Sequence, residues 1–258
     1  MTEDVTLDVT DNIAIVTLNR PEKNNSINDI IWTRLIEIAE KVTDDQDIRA
    51  MITRGSGGNF CAGGDIQGFQ RGERTNMASK LGITFRAEEA IESIPVPTIA
   101  AIEGYALGGG VELAACHDFR FADADAQFGF PEINVGVFPG AGGTQRVPRL
   151  IGVPKTKELV FTGEMISAQE AKDIDLVERV VNENVLDVSK EFASKFVDKP
   201  PIAMGAAKRS LNEVWNGRDM REGLLFEAAA STMVFETEDR DEGMDAFLSN
   251  REPEWKGR

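Results

Sequence analysis

Three glycine-rich clusters hold most of the residues whose types and spacing could support chemistry. The first is Asn59-Phe-Cys-Ala-Gly-Gly-Asp65. The second is Gly104-Tyr-Ala-Leu-Gly-Gly-Gly-Val-Glu-Leu113. The third is Phe128-Gly-Phe-Pro-Glu132, followed by Gly136 and Pro139-Gly-Ala-Gly-Gly-Thr144. Glycines in such runs let the backbone turn tightly or come close to a ligand. The second cluster leads directly into an apolar helical pattern from Val111 to Cys116. The first amides of a helix lack intrahelical partners and carry the positive end of its dipole. They can stabilise a developing oxyanion. Glu112 lies inside that apolar run, where an ionised carboxylate is costly unless something satisfies it. Taken alone, Glu112 also fits an exposed or capping glutamate.

Other chemistries find less support. His117 is the one histidine, no serine sits in a Gly-x-Ser-x-Gly elbow, and Cys/His metal spacing is absent. His117 follows an apolar helix and reads as a helix-end residue. Cys61 reads as a small packing residue in a glycine loop. Gly140-Ala-Gly-Gly143 lacks the third glycine of a dinucleotide fingerprint, and Gly55-Ser-Gly-Gly58 lacks a Gly-Lys-Ser/Thr continuation.

The elements that must position these clusters follow from periodicity. Ile13–Leu18, Ala50–Thr53 and Thr98–Ile102 are apolar, largely β-branched runs and predict strands. Ile27, Ile30, Ile31, Leu35, Ile38 and Val42 recur at helical spacing, with Ser26 and Asn28 as candidate caps. A helix is expected within Arg71–Glu92, stopped by Pro95 and Pro97. Alternating strands and helices predict an α/β protein with a largely parallel sheet. Beyond about residue 200 no strand is evident. Ile202–Leu211 and Met220–Phe235 read as helices, and Glu236–Arg258 as a charge-rich tail. The expected division is a core over 1–197 and a helical part over 198–258.

Composition bounds the class. The 258 residues are 41% hydrophobic, enough for a sizeable core. With 44 acidic against 28 basic residues the net charge is −16, which argues against nucleic acid as a partner. Two cysteines make no disulfide framework and fit a reducing compartment. The acidic Met-Thr-Glu-Asp start lacks a signal-peptide pattern, and no apolar run is long enough for a membrane span. A cytoplasmic protein with no membrane association is expected.

At the three clusters the sequence resembles the enoyl-CoA hydratase/isomerase (crotonase) family. The likeness begins at Leu18-Asn-Arg-Pro21, continues through Thr162-Gly-Glu and Ala168-x-x-Ala171, and ends at Glu242-Gly-Met-x-Ala-Phe247 and Arg251-x-Pro253. It implies a spiral of β-β-α turns with a helical C-terminal oligomerisation part. The expected assembly is a homotrimer or a hexamer made as a dimer of trimers. The substrate is an acyl-CoA thioester; coenzyme A belongs to it, and no separate cofactor or metal is implied. Gly64 and Gly109 match the two backbone donors of an oxyanion hole. Ala62, Gly63, Asp65 and Ile66 would lie along the CoA, with Lys23 near its phosphates.

Glu112 and Glu132 match the two glutamates of the hydratase branch. That branch adds water reversibly to a trans-2-enoyl-CoA and gives a 3-hydroxyacyl-CoA. Such chemistry needs a base for water and an acid for the α-carbon, which paired carboxylates supply when their environments separate their pKa values. Glu112 is assigned to the water and Glu132 to the α-carbon; the reverse assignment fits the sequence equally. Related reactions remain as alternatives: enoyl-CoA isomerisation, carnitinyl-CoA or hydroxyacyl-CoA dehydration, and acyl-CoA hydrolysis. The sequence departs from the family at Asn24-Asn-Ser26 and at Ser249-Asn-Arg251, which leaves Arg251 or Lys256 as the candidate C-terminal CoA contact.

Overall fold

A computed structural model describes residues 3–65 and 77–258. In chain order the strands are β1 (Val5–Thr10), β2 (Ile13–Leu18), β3 (Ala50–Gly55), β4 (Thr98–Ile102), β5 (Tyr105–Leu107), β6 (Phe119–Asp123), β7 (Gln127–Gly129), β8 (Met165–Ser167) and β9 (Arg179–Val181). The helices are α1 (Asp29–Asp44), α2 (Met77–Glu92), α3 (Gly109–Ala115), α4 (Gly143–Ile151), α5 (Val153–Thr162), α6 (Ala168–Asp173), α7 (Val185–Val197), α8 (Pro201–Trp215), α9 (Met220–Phe235) and α10 (Glu238–Ser249).

The strands form two sheets. The larger has the order β1-β2-β3-β4-β6-β9, and the smaller β5-β7-β8. From β2 to β9 the large sheet is parallel; β1 is an antiparallel edge. The chain spirals between the sheets: β4 leads to β5 and then α3, and β6 leads to β7 and then α4. Two isolated parallel bridges, Ile27 to Gly64 and Cys61 to Ala106, join successive turns near the small sheet. These β-β-α turns, followed by three C-terminal helices, are the architecture expected from the sequence.

Burial explains why the central strands lack a polar face. Ala14, Val16 and Leu18 of β2 belong to the main core, under α1, α2 and α3. Ile13 points to the other face, with Ala50, Ile52, Ile99 and Phe121, and packs under α7. A parallel sheet covered on both faces reads as a continuous apolar run because side chains alternate between two interiors. Helix α1 starts at Asn28, whose side chain accepts a 2.9 Å hydrogen bond from the Ile31 amide. Its Ile31, Leu35, Ile38 and Val42 are buried as the spacing predicts, whereas Ile30 is exposed.

The structure corrects one expectation. The segment from Glu236 is no simple tail: it contains α10, capped by Thr237, with Glu238, Asp239 and Asp241 in its first turn. Acidic side chains there complement the helix dipole, so a charged composition favours this helix start. The helix expected within Arg71–Glu92 is present as α2 over Met77–Glu92; residues 71–76 lie outside the described residues, as do Ile66 and the end of the Gly55–Gly68 loop.

Candidate active site

Glu112 sits on α3 with only 2% of its surface exposed. Its Oε1 accepts two backbone hydrogen bonds of 2.8 Å, from Ala141 and Gly143. Gly143 must be small, because a Cβ there would stand 2.8 Å from that oxygen. Burial pushes the carboxyl up to about 7. The charge of Glu132 adds to the rise, while the two amides and Arg146 oppose it. A carboxyl poised near neutrality suits general acid–base work.

Glu132 lies in the 3-10 turn Pro131–Val135, directly after Phe130. Its Oε2 is buried with no hydrogen-bond partner among the described residues. Burial raises its pKa as well. Its Oε1 lies against Gly108, where a Cβ would come within 2.5 Å of it. Gly108 also has φ +51° and ψ −118°, a conformation open mainly to glycine.

The two candidate donors adjoin this pair. Gly109 is the first residue of α3, so its N–H has no intrahelical acceptor. The bridge at Gly64 runs from the Ile27 amide to Gly63 O and from the Asp65 amide to Ile27 O, and it bypasses the Gly64 N–H. A Cβ built on Gly109 would lie 3.5 Å from the Gly64 nitrogen. One built on Gly63 (φ +99°) would lie 3.5 Å from the Gly109 nitrogen. Two backbone donors thus lie side by side, with Glu132 against the glycine preceding one of them.

The other nominated residues are spread around this centre. Ala62 donates its amide to Asn24 O at 3.0 Å, and Gly63 donates its amide to Cys61 Sγ at 3.4 Å. The Asp65 carboxylate forms a 3.0 Å ion pair with Arg20, so that side chain anchors the loop. Lys23 ends the 3-10 turn Pro21–Lys23, next to Asn24, whose carbonyl holds Ala62. Arg251 pairs with both oxygens of Glu242 at 2.6 and 2.8 Å, and Lys256 lies 3.9 Å from Glu238.

Two residues set aside in the sequence take structural places. His117 is buried, with its ring nitrogens at 3.0 Å from Leu113 O and 2.7 Å from Thr53 Oγ1; burial pushes its pKa down to about 4. Cys61 is fully buried, and burial pushes its thiol up to about 12. Among the described residues no group of three or more His, Cys, Asp or Glu is placed to hold a metal.

Sequence reasoning missed a charged cluster behind Glu112. Arg146 donates to both oxygens of Glu92 at 2.6 and 2.9 Å, and to Oε2 of Glu88 at 2.8 Å. Glu88 is wholly buried and its Oε1 has no hydrogen-bond partner among the described residues. Burial pushes Glu88 up to about 8; Arg146 opposes this but is already neutralised by Glu92. The folded state therefore binds more protons than the unfolded chain between the ordinary carboxyl range and pH 8, so stability falls as pH rises through that window. Glu88→Gln removes this loss. Its stability advantage over the parent is expected to grow between pH 5 and pH 9 by a few kcal/mol, on the order set by the size of the shift. Thermal denaturation at both pH values checks this; a gap that stays constant or shrinks contradicts it.

A buried Glu112 and a half-buried Glu132, beside two backbone amides that have no hydrogen-bond partner among the described residues, define an acid–base site able to polarise a carbonyl. Residues 8–258 match the enoyl-CoA hydratase/isomerase family. The crotonyl-CoA hydratase of Syntrophomonas wolfei is 38% identical, covering 96% of each chain. The short-chain-enoyl-CoA hydratase of Clostridium acetobutylicum is 38% identical over 94% of this chain and 93% of its own. A crystal structure of enoyl-CoA hydratase from Bacillus anthracis superposes with a TM-score of 0.92 at 38% identity, covering 99% of this chain and all of that one. The chain belongs to the enoyl-CoA hydratase/isomerase family.

Proposed function

We propose that this protein is an enoyl-CoA hydratase, a hydro-lyase that adds water reversibly across a trans-2-enoyl-CoA. The observation that carries this reading is the joint presence of Glu112 and Glu132, both with raised pKa values, around the Gly64 and Gly109 amides. The thioester carbonyl accepts from those two N–H groups. Glu112 takes a proton from water as its oxygen bonds to the β-carbon. The π electrons move toward the carbonyl, and the enolate-like charge is held by the two donors. Glu132 then delivers a proton to the α-carbon. The two carboxyls exchange a proton to reset, since one has gained what the other has lost.

Coenzyme A enters as part of the substrate. Lys23 and the backbone of Ala62, Gly63, Asp65 and Ile66 are the proposed contacts along it. The proposed site of action is the cytoplasm; among the described residues no helix is long and apolar enough to cross a membrane. A homotrimer or a dimer of trimers is proposed, built through 198–258. The support is the apolar surface on α8–α10, where Val214, Leu225, Phe247 and Leu248 are 66–83% exposed. Light scattering on the purified chain is expected to give three or six times 28.2 kDa.

The decisive assay follows the ultraviolet absorbance of crotonyl-CoA. Loss of the conjugated thioester band, with 3-hydroxybutyryl-CoA as product, is the expected outcome. Migration of the double bond or release of free CoA without hydration would sink the proposal.

A further inference from the structure

We propose that Arg146, held by Glu88 and Glu92, is a positioning residue that braces the Ala141–Gly143 turn and thereby fixes the Glu112 carboxylate. This rests on the reading of Glu112 as a catalytic carboxylate. The two amides that hold Glu112 come from the residues on either side of Gly142. Gly142 has φ +87°, and a Cβ there would collide with Nη1 of Arg146, meet its Cζ at 3.1 Å, and stand 3.3 Å from Glu88 Oε2. The guanidinium is therefore stacked on the middle of the turn. The Arg146 amide also donates to Gly142 O at 2.8 Å, so backbone and side chain of one residue grip the same glycine.

The far side of the guanidinium is fixed in turn. Its three charge-assisted hydrogen bonds to α2 span 2.6–2.9 Å. A planar fork bonded to two carboxylates holds one orientation, which a lysine cannot reproduce. The brace thus runs from α2, through Arg146 and the Gly142 turn, to the carboxylate on α3. It acts electrostatically too. Arg146 lowers the pKa of Glu112, as do the two amides it supports, whereas Glu132 raises it. The charged and titratable groups around the guanidinium are Glu88 and Glu92 from α2, Glu112 from α3 and Cys116 at the end of α3.

The test compares three purified variants in hydration of crotonyl-CoA across pH. Arg146→Met is expected to lower kcat about 10–100-fold through a misplaced carboxylate. KM should stay within about threefold, because no ground-state contact is lost. The acid limb of kcat/KM should move to higher pH, because Glu112 loses a nearby cation and well-placed amides. Arg146→Lys restores the charge without the fork: the limb should return toward the parent while kcat does not. Glu92→Gln removes a negative charge and leaves the cation, so its limb should move to lower pH. A merely structural cluster predicts no opposed shifts. A folded Arg146→Met with parental kcat overturns the proposal, as do shifts of the same sign in Arg146→Met and Glu92→Gln. Should Arg146→Met not fold, Glu92→Gln decides alone, and an unmoved limb overturns the brace. Should the parent hydrate no enoyl-CoA, the catalytic reading falls separately. Carbon-13 NMR titration of the Glu112 carboxyl in Glu92→Gln still reads the brace, and an unshifted Glu112 overturns it.

Discussion

Glu112→Gln is expected to lower kcat for crotonyl-CoA hydration about 10²–10⁴-fold, the usual worth of a general acid or base. Glutamine matches glutamate in shape, and its oxygen can keep the 2.8 Å bonds from the Ala141 and Gly143 amides. The fold is therefore retained, and the variant should melt no lower than the parent. Neutralising a carboxyl this deeply buried relieves part of its desolvation cost. Glu132→Gln should lose a comparable factor. The proposed mechanism gives the two groups one proton relay, so the double variant should be little worse than either single one. Steady-state kinetics on the three proteins tests the pairing; a double loss equal to the product of the single losses would mean that the carboxyls act independently.

Gly108→Ala is the second large effect. The added methyl would stand 2.5 Å from Glu132 Oε1, so the carboxylate has to move or rotate. A displacement of about 1 Å at a reacting group can cost 10²-fold in rate. The backbone there adds about 1–3 kcal/mol of strain, since φ +51° with ψ −118° is a region left almost wholly to glycine. Gly217→Ala provides the comparison. Gly217 has φ +78° with nothing within 4 Å of the built Cβ, and it lies between α8 and α9. It should lose stability but keep kcat. Circular-dichroism melting and crotonyl-CoA turnover separate the two; equal kcat in both variants would remove the steric argument.

Much of this was legible in the sequence, and the reason is physical. Strands β2, β3 and β4 show as apolar β-branched runs because they are buried on both faces. Helix α1 shows because one of its faces is buried and its cap is an asparagine. Glu112 shows because an acid inside an apolar helix demands an explanation. What stayed hidden has equally definite causes. Strands β5, β7, β8 and β9 have three residues each, too few for a period to register. Strand β1 is an exposed edge whose second half is open to solvent, so its pattern is weak. The Arg146, Glu88 and Glu92 cluster joins residues 54 and 58 positions apart, and nothing local marks them as neighbours. Gly64 and Gly109 are candidates through the resemblance alone; their adjacency comes from the stacking of spiral turns, which composition does not reveal.

The two proposed carbonyl donors are peptide N–H groups, aligned through the Ile27–Gly64 and Cys61–Ala106 bridges. No exchange of one non-proline side chain for another deletes a peptide N–H; only added bulk or altered backbone geometry can spoil it. Heritable variation is thereby divided into two classes. Changes at the acids or along the acyl-facing surfaces can alter what happens to the bound thioester, while its activation persists beneath them. A lineage carrying this scaffold can explore new outcomes for the same activated group without passing through a form that no longer grips it.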